Sequence, residues 1–337
     1  MTQLTWIGGS SNSFQDKKNW NPQTAPGATS DVIIAPALAT SIVAANDTIN
    51  SLTTNANTTL SISATDTFTI RDVPGSVAST NGGTLSLGAA ADLFLSGTFD
   101  NTGTLATHAT SDVWVTGTVD NSGTIQQSGD VNVGNASTAG AIINEASGHW
   151  HISGNVDVTG GAAAGSSLQN AGSLIRDGVG VTDVSVATIN SGQIYLGSGT
   201  MEFLRPVTNT GTMTVGGAGA SLYLSTAVAG TGSLDINGGS LHLLHGADAG
   251  QTVDFMSSGT LDLNAPGIFA GTIAGFGAND LIDLVKTAAT SATFGGGVLT
   301  VLNGAATVAS LHMSGTYTSA DFLVTSDNHN GSFIHFV

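Results

Sequence analysis

The chain has 337 residues, enough to bury a large core, but only 9% of them are charged and the formal net charge is −17. An ordinary domain is roughly 25% charged, so this surface must be covered by Ser, Thr, Asn, Gln and Gly. Lys17, Lys18, Arg71, Arg176, Arg205 and Lys286 are the only fixed cations and there is no cysteine. This argues against nucleic acid and anionic membranes as partners and excludes disulfides, thiolate metal sites and cysteine nucleophiles.

Residues 1–29 hold Trp6, Phe14 and Trp20 together with Pro22 and Pro26. They contain no basic stretch followed by a long apolar run, so no classical signal peptide is visible: either the chain is intracellular, or a signal has been trimmed from it, or export uses an uncleaved C-terminal signal. A degenerate repeat unit begins near Asn57-Thr-Thr-Leu60 and Ile62. The phrase Asn-x-Gly-x-aliphatic then recurs at Asn81, Asn101, Asn121, Asn170, Asn190 and Asn209, with a looser copy at Asn144. The separations are 20, 20, 23, 26, 20 and 19 residues. Gly230-Thr-Gly232-Ser-Leu234 and Ser257-Ser-Gly259-Thr-Leu261 continue the pattern without the asparagine.

A fixed period of this size marks one supersecondary unit stacked on the next. Aligned at a shift of 20, Asp92 lies over Asp112, Leu93 over Val113, Phe94 over Trp114, Asp100 over Asp120 and Asn101 over Asn121. Residues 50–265 show short strand patterns between Gly, Asn and Ser turns, and no capped helical period. The prediction is an all-β, single-stranded parallel β-solenoid (β-helix) over residues 30–267, with about ten coils spaced by one inter-strand distance, about 4.8 Å. The six asparagines are expected to form a structural ladder of amide hydrogen bonds between coils. The adjacent glycines are expected to supply positive φ at the corners. An open stack exposes strand edges. Residues 1–29 are therefore read as an N-terminal aromatic cap, and 268–337 as a β-rich C-terminal cap or secretion module with strands near 281–285, 297–302, 310–313 and 332–337. No apolar run reaches the length of a membrane-spanning helix.

Gly275-Phe-Gly277-Ala-Asn-Asp280-Leu-Ile282-Asp283 partly matches the calcium-binding nonapeptide Gly-Gly-x-Gly-x-Asp-x-aliphatic-x. Carboxylates and turn carbonyls suit a hard cation, so Asp280 and Asp283 are the Ca²⁺ candidates. The motif occurs once, however, and a strand with a polar turn is the plainer account. Stacked pairs Asp92/Asp112 and Asp100/Asp120 would repel unless solvated or bridged by an ion. His149/His151 and His242/His245 lack a third ligand. No Gly-x-Ser-x-Gly elbow, phosphate loop or His-Glu-x-x-His is present. Arg176 and Arg205 do not adjoin an acidic cluster of the kind a carbohydrate-active site needs. No catalytic residue is assigned, and Ca²⁺ is the one cofactor the residues suggest.

The opening, Thr5-Trp6-Ile7-Gly8-Gly9, Asn19-Trp20-Asn21-Pro22, Ala25-Pro26-Gly27 and Asp31-Val32-Ile33-Ile34, resembles that of bacterial secreted β-helical surface proteins of the autotransporter-passenger and adhesin type. The end, Gly271-Thr-Ile273-Ala-Gly275-Phe276, Asp280-Leu-Ile282-Asp283-Leu284, Gly297-Val-Leu299-Thr-Val301 and Gly315-Thr-Tyr317 with Phe322, is similar to a C-terminal module common in such proteins from alphaproteobacteria. The resemblance implies an extracellular or cell-surface location and a structural or adhesive role. The chain has no room for a β-barrel translocator, so it is either a passenger cut from a longer protein or a substrate of a type I-like exporter; the missing N-terminal signal favours the second, with the address after about residue 270. The expected partners are other copies of the chain, associated head-to-tail or laterally, and cell-surface glycans. The alternative is a polysaccharide-binding or polysaccharide-degrading β-helix.

Overall fold

The computed structural model describes residues 1–73 and 77–337 as short β-strands joined by turns, with single-turn 3-10 helices at Lys17–Asn19, Pro266–Ile268 and Ser319–Asp321. Two compact units, Met1–Leu174 and Ile175–Val337, are distinguished. Within each, parallel strands stack into a β-solenoid; the turns number about 13, against the ten expected.

One coil of the first unit shows the construction. Asp92–Leu95, Thr98–Asn101 and Thr104–Ala106 lie on three successive faces. The next coil repeats them as Asp112–Val115, Thr118–Asn121 and Thr124–Gln127. Pairing is parallel, with Leu93 on Val113, Phe99 on Val119 and Leu105 on Ile125. Side chains alternate across a strand, so these apolar residues all point inward and are buried. Each contributes roughly 1.5–3 kcal/mol by leaving water. The third face stacks Leu60, Leu85, Leu105, Ile125 and Trp150 in one interior column. The longer separations of 23 and 26 residues come from outward loops at 134–140 and 161–166, which leave the register untouched.

The asparagine ladder is present and longer than its motif. In the first unit Thr54 Oγ1 donates to Asn81 Oδ1 (2.9 Å), and Asn81 Nδ2 donates to Asn101 Oδ1 (2.8 Å). Asn101 donates to Asn121, Asn121 to Asn144 and Asn144 to Asn170, each at 2.7 Å. In the second unit Asn190 Nδ2 donates to Asn209 Oδ1 (2.8 Å), and Asn209 Nδ2 reaches Gln251 Oε1 (3.2 Å). Gln251 replies by donating to the carbonyls of Asn209 (2.7 Å) and Ala229 (2.9 Å). The longer glutamine thus spans the coil in which Gly230 replaces asparagine. Amides also donate to backbone, as Asn101 does to Thr124 O (3.0 Å). Such pairing is what permits these side chains to be buried.

The motif glycines are explained differently from the expectation. Gly83, Gly103, Gly123, Gly172 and Gly211 do not adopt positive φ. Their constraint is the approach of the neighbouring coil. A Cβ on Gly103 would lie 2.0 Å from Gly83 O, and one on Gly123 would lie 2.2 Å from Gly103 O.

Parallel pairing extends beyond residues 30–267. Thr2–Trp6 lies parallel on Ser30–Ile34, because its Leu4 and Trp6 alternate inward like any rung. Trp20–Asn21 then closes its free edge in antiparallel sense. Trp6 and Phe14 pack edge-to-face on Trp20 at 5.1 and 5.2 Å. The edge of Thr40–Ala44 is covered by residues 12–14, with Val43 N donating to Asn12 O (2.8 Å) and Phe14 N to Val43 O (2.9 Å). In the second unit Thr272–Ala274 and Leu281–Leu284 still stack in parallel. Antiparallel strands then end the stack: Val298–Asn303 on Ala306–Ser314, and Ser332–Phe336 on Leu281–Leu284. Among the described residues, no helix is long and apolar enough to cross a membrane.

Candidate functional site

The ladder asparagines are interior and serve cohesion, so surface chemistry must come from elsewhere. Asp280 is buried at the turn entering Leu281–Leu284, where its Oδ2 accepts from Gly277 N (2.7 Å). Asp283 projects from the outer side of that strand, between the inward Ile282 and Leu284. The two candidates for Ca²⁺ therefore face opposite sides of one strand and do not share a ligand set. Among the described residues, no group of three or more His, Asp or Glu is arranged to hold a metal ion.

Of the other polar residues noted in the sequence, His149, His151, His245 and Arg176 lie apart from this strand, whereas His242 shares an outward register with Asp283. His149 and His151 share an exposed outer face, and His245 Nδ1 sits 2.8 Å from Ser225 O. Arg176 is fully buried; its guanidinium donates to the carbonyls of Gly178, Val179 (3.2 Å) and Ser198 (2.9 Å) and so pins a corner. Burial holds this guanidinium below its ordinary value, against the opposing pull of Asp177. It is not placed to line an outer groove.

Register builds a polar column on the second unit. Thr200–Phe203, Ser221–Leu224, Ser240–Leu243, Thr260–Leu263 and Leu281–Leu284 pair in parallel. Their outward residues Glu202, Tyr223, His242, Asp262 and Asp283 fall one above another at about 4.8 Å per rung. Phe333 of the terminal strand follows Asp283. The Tyr223 and His242 rings stack at 3.9 Å and 1°. His242 Nδ1 lies 2.5 Å from Asp262 Oδ2. Ser225 Oγ donates to Glu202 Oε1 (2.9 Å). The buried atoms His242 Nε2, Asp262 Oδ1 and Asp283 Oδ1 find no hydrogen-bond partner among the described residues.

Burial, then the Asp262 and Asp327 carboxylates, push Asp283 up to about 6, against the pull of His242 and His329. Tyr223 is raised by burial and by Asp262 and Glu202. A protonated Asp283 can donate a hydrogen bond where an ionised one can only accept, and its neighbour on the adjacent rung is the Asp262 carboxylate. Folding therefore favours its protonated form. This contribution to stability is complete below the unfolded value near 3.9 and is lost as pH rises through about 6. We expect the second unit to lose thermal stability between pH 4 and 7, and Asp283→Asn to flatten that slope. A melting temperature that climbs with pH over this range in the parent, or a slope unchanged in the variant, would contradict the assignment.

No motif marks this column, because these five residues are of four kinds. Their only common signal is phase, with separations of 21, 19, 20 and 21 residues.

The first unit carries a different surface. Asp92, Asp112 and Asp130 align along one outer row, beside which Phe94 and Trp114 stack at 5.9 Å and 7°. Asp112 is raised by burial, then by Asp130 and Asp92; Asp120 is raised by burial, then by Asp100 and Glu145. The aspartate pairs expected from the alignment are thus in register, and Asp112 and Asp120 are half-buried rather than fully solvated.

Comparison with known proteins adds one match within this unit. No curated protein matches the chain. Residues 5–142 are similar to a family described as a domain of unknown function, DUF8693.

Proposed function

We propose that the protein is an extracellular structural or adhesive component that works by presenting the outer faces of its β-solenoid. The observation that supports this best is the direction of its polar groups. The repeated amides are turned inward to join coils, and the outer faces carry neutral hydroxyl rows. Thr59, Thr84, Thr104 and Thr124 form one such row on consecutive rungs. Of the two modes of self-association, lateral contact is favoured. Trp20–Asn21 and residues 12–14 cover the first rungs, and covered edges do not template strand addition. Sedimentation velocity over a wide concentration range, with and without Ca²⁺, should reveal species heavier than one chain. A single-chain species at every concentration would end the self-association part of the proposal.

The column of the second unit favours one alternative, a polysaccharide-degrading activity. Asp262 and Asp283 sit on adjacent rungs, and a hydrolase needs a pair of carboxyl groups that flank the scissile bond. Assay of neutral and acidic polysaccharides for new reducing ends tests it; release that persists in Asp283→Asn, or no release at all, removes this alternative.

A further inference from the structure

We infer that the outer face of the first unit holds a binding slot for an uncharged sugar ring, stacked on Trp114. The inference deepens the adhesive reading above by naming a partner class. Its basis is an aromatic column that stops. Along one outward register the rungs read Phe94, Trp114, Asn132 and Thr159. Phe94 covers one face of the indole. On the other side the column drops to short side chains, and a groove of about 290 Å³ opens there. Its walls come from the loop residues Gly134–Ala136 and from residues 160–162. Ligand pockets begin near roughly 300 Å³, so this slot suits one ring.

The chemistry of the slot selects the ring. An indole face carries negative charge density, which the polarised C–H face of a sugar complements. Asn132 and Thr159 offer an amide and a hydroxyl to the groove along the same register. The aspartate row 92, 112, 130 runs alongside the groove without lining it and gives this face its negative charge. The same row repels phosphate, sulfate and uronate groups, and none of the six fixed cations lines the groove. This argues against nucleotides and acidic glycans and leaves neutral saccharides.

Affinity electrophoresis in native gels cast with galactomannan, soluble β-glucan or xylan tests the slot, with alginate as the anionic control. The protein is run at a concentration where sedimentation shows single chains, so that self-association does not enter. We expect retardation by at least one neutral polymer and none by alginate. Trp114→Ala should weaken binding at least tenfold, and Trp114→Phe should retain most of it. Trp6, Trp20 and Trp150 are buried, so the bound polymer should change the emission of Trp114 alone, and that change should vanish in Trp114→Ala. Retardation by alginate only, no retardation, or binding unchanged in Trp114→Ala would overturn the inference. Self-association without sugar binding removes the slot and spares the scaffold; sugar binding without self-association does the reverse.

Discussion

Gly117→Ala is expected to lower the melting temperature of the first unit by roughly 8–16 °C, corresponding to a loss of about 4 kcal/mol or more. A Cβ at Gly117 would stand 1.9 Å from Gly97 O and 2.3 Å from Gly97 N. Both obstacles are backbone in the adjacent coil, where Thr118 N donates to Gly97 O (2.7 Å). No rotamer relieves the clash, so the coils must part locally and lose pairing on either side. Gly27→Ala is the control, since its Cβ would meet nothing within 4 Å. There the smaller conformational freedom of the unfolded chain should leave stability unchanged or raise it by about 0.4–1 kcal/mol. Circular-dichroism melts of the two variants check this pair. Equal melting for Gly117→Ala and the parent would mean that the coils are not in this register.

Asn121 carries the second large effect. It accepts from Asn101 Nδ2 and donates to Asn144 Oδ1, both at 2.7 Å, with full burial. Asn121→Ala leaves a donor above and an acceptor below without their partner. At about 1–3 kcal/mol for each stranded buried group, the loss is about 2–6 kcal/mol. Asn121→Asp separates hydrogen bonding from packing. Its carboxylate can still accept from Asn101 but confronts Asn144 Oδ1 without a hydrogen unless it is protonated. The folded state therefore raises the pKa of the new carboxyl, and the variant should approach the parent near pH 4 and fall away as pH rises to 7. Urea unfolding at several pH values measures this. A variant as stable as the parent at pH 7 would show that the amide ladder is dispensable.

The sequence revealed the winding because like residues repeat at one phase. Leu93 over Val113, Asp100 over Asp120 and Asn101 over Asn121 are pairs in the folded chain as they are in the alignment. Asn144, with its glycine four residues away rather than two, still occupies its rung. The spacing between asparagine and glycine is therefore set by the turn, and the rung by the strand. The glycines make room for the neighbouring coil and do not relieve φ as expected, since in sequence a residue without Cβ reads the same in either role. Gln251 was invisible as a ladder member because it lies two coils beyond Asn209 and is a different residue. Phe94 over Trp114 was legible at the same shift of 20 and is a stacked pair in the fold, whereas the column from Glu202 to Asp283 was hard to single out. Outward positions carry no requirement for likeness, so their function shows only after register has placed them together. Asp280 and Asp283 mislead in the opposite way, as three residues of separation along a strand turn two carboxylates to opposite sides.

In the first unit the register repeats from coil to coil. The span 101–120 begins at one ladder asparagine and ends just before the next, and its flanks meet the same kinds of neighbour above and below. Excising or duplicating such a span returns every inward residue to the interior, whereas removing a single residue turns a whole strand inside out. Changes in length within this unit are thus tolerated in steps of an entire winding, or as additions at the outward loops near 134–140 and 161–166. Gene segments of about sixty nucleotides are accordingly the natural increment by which such a chain lengthens or shortens its reach.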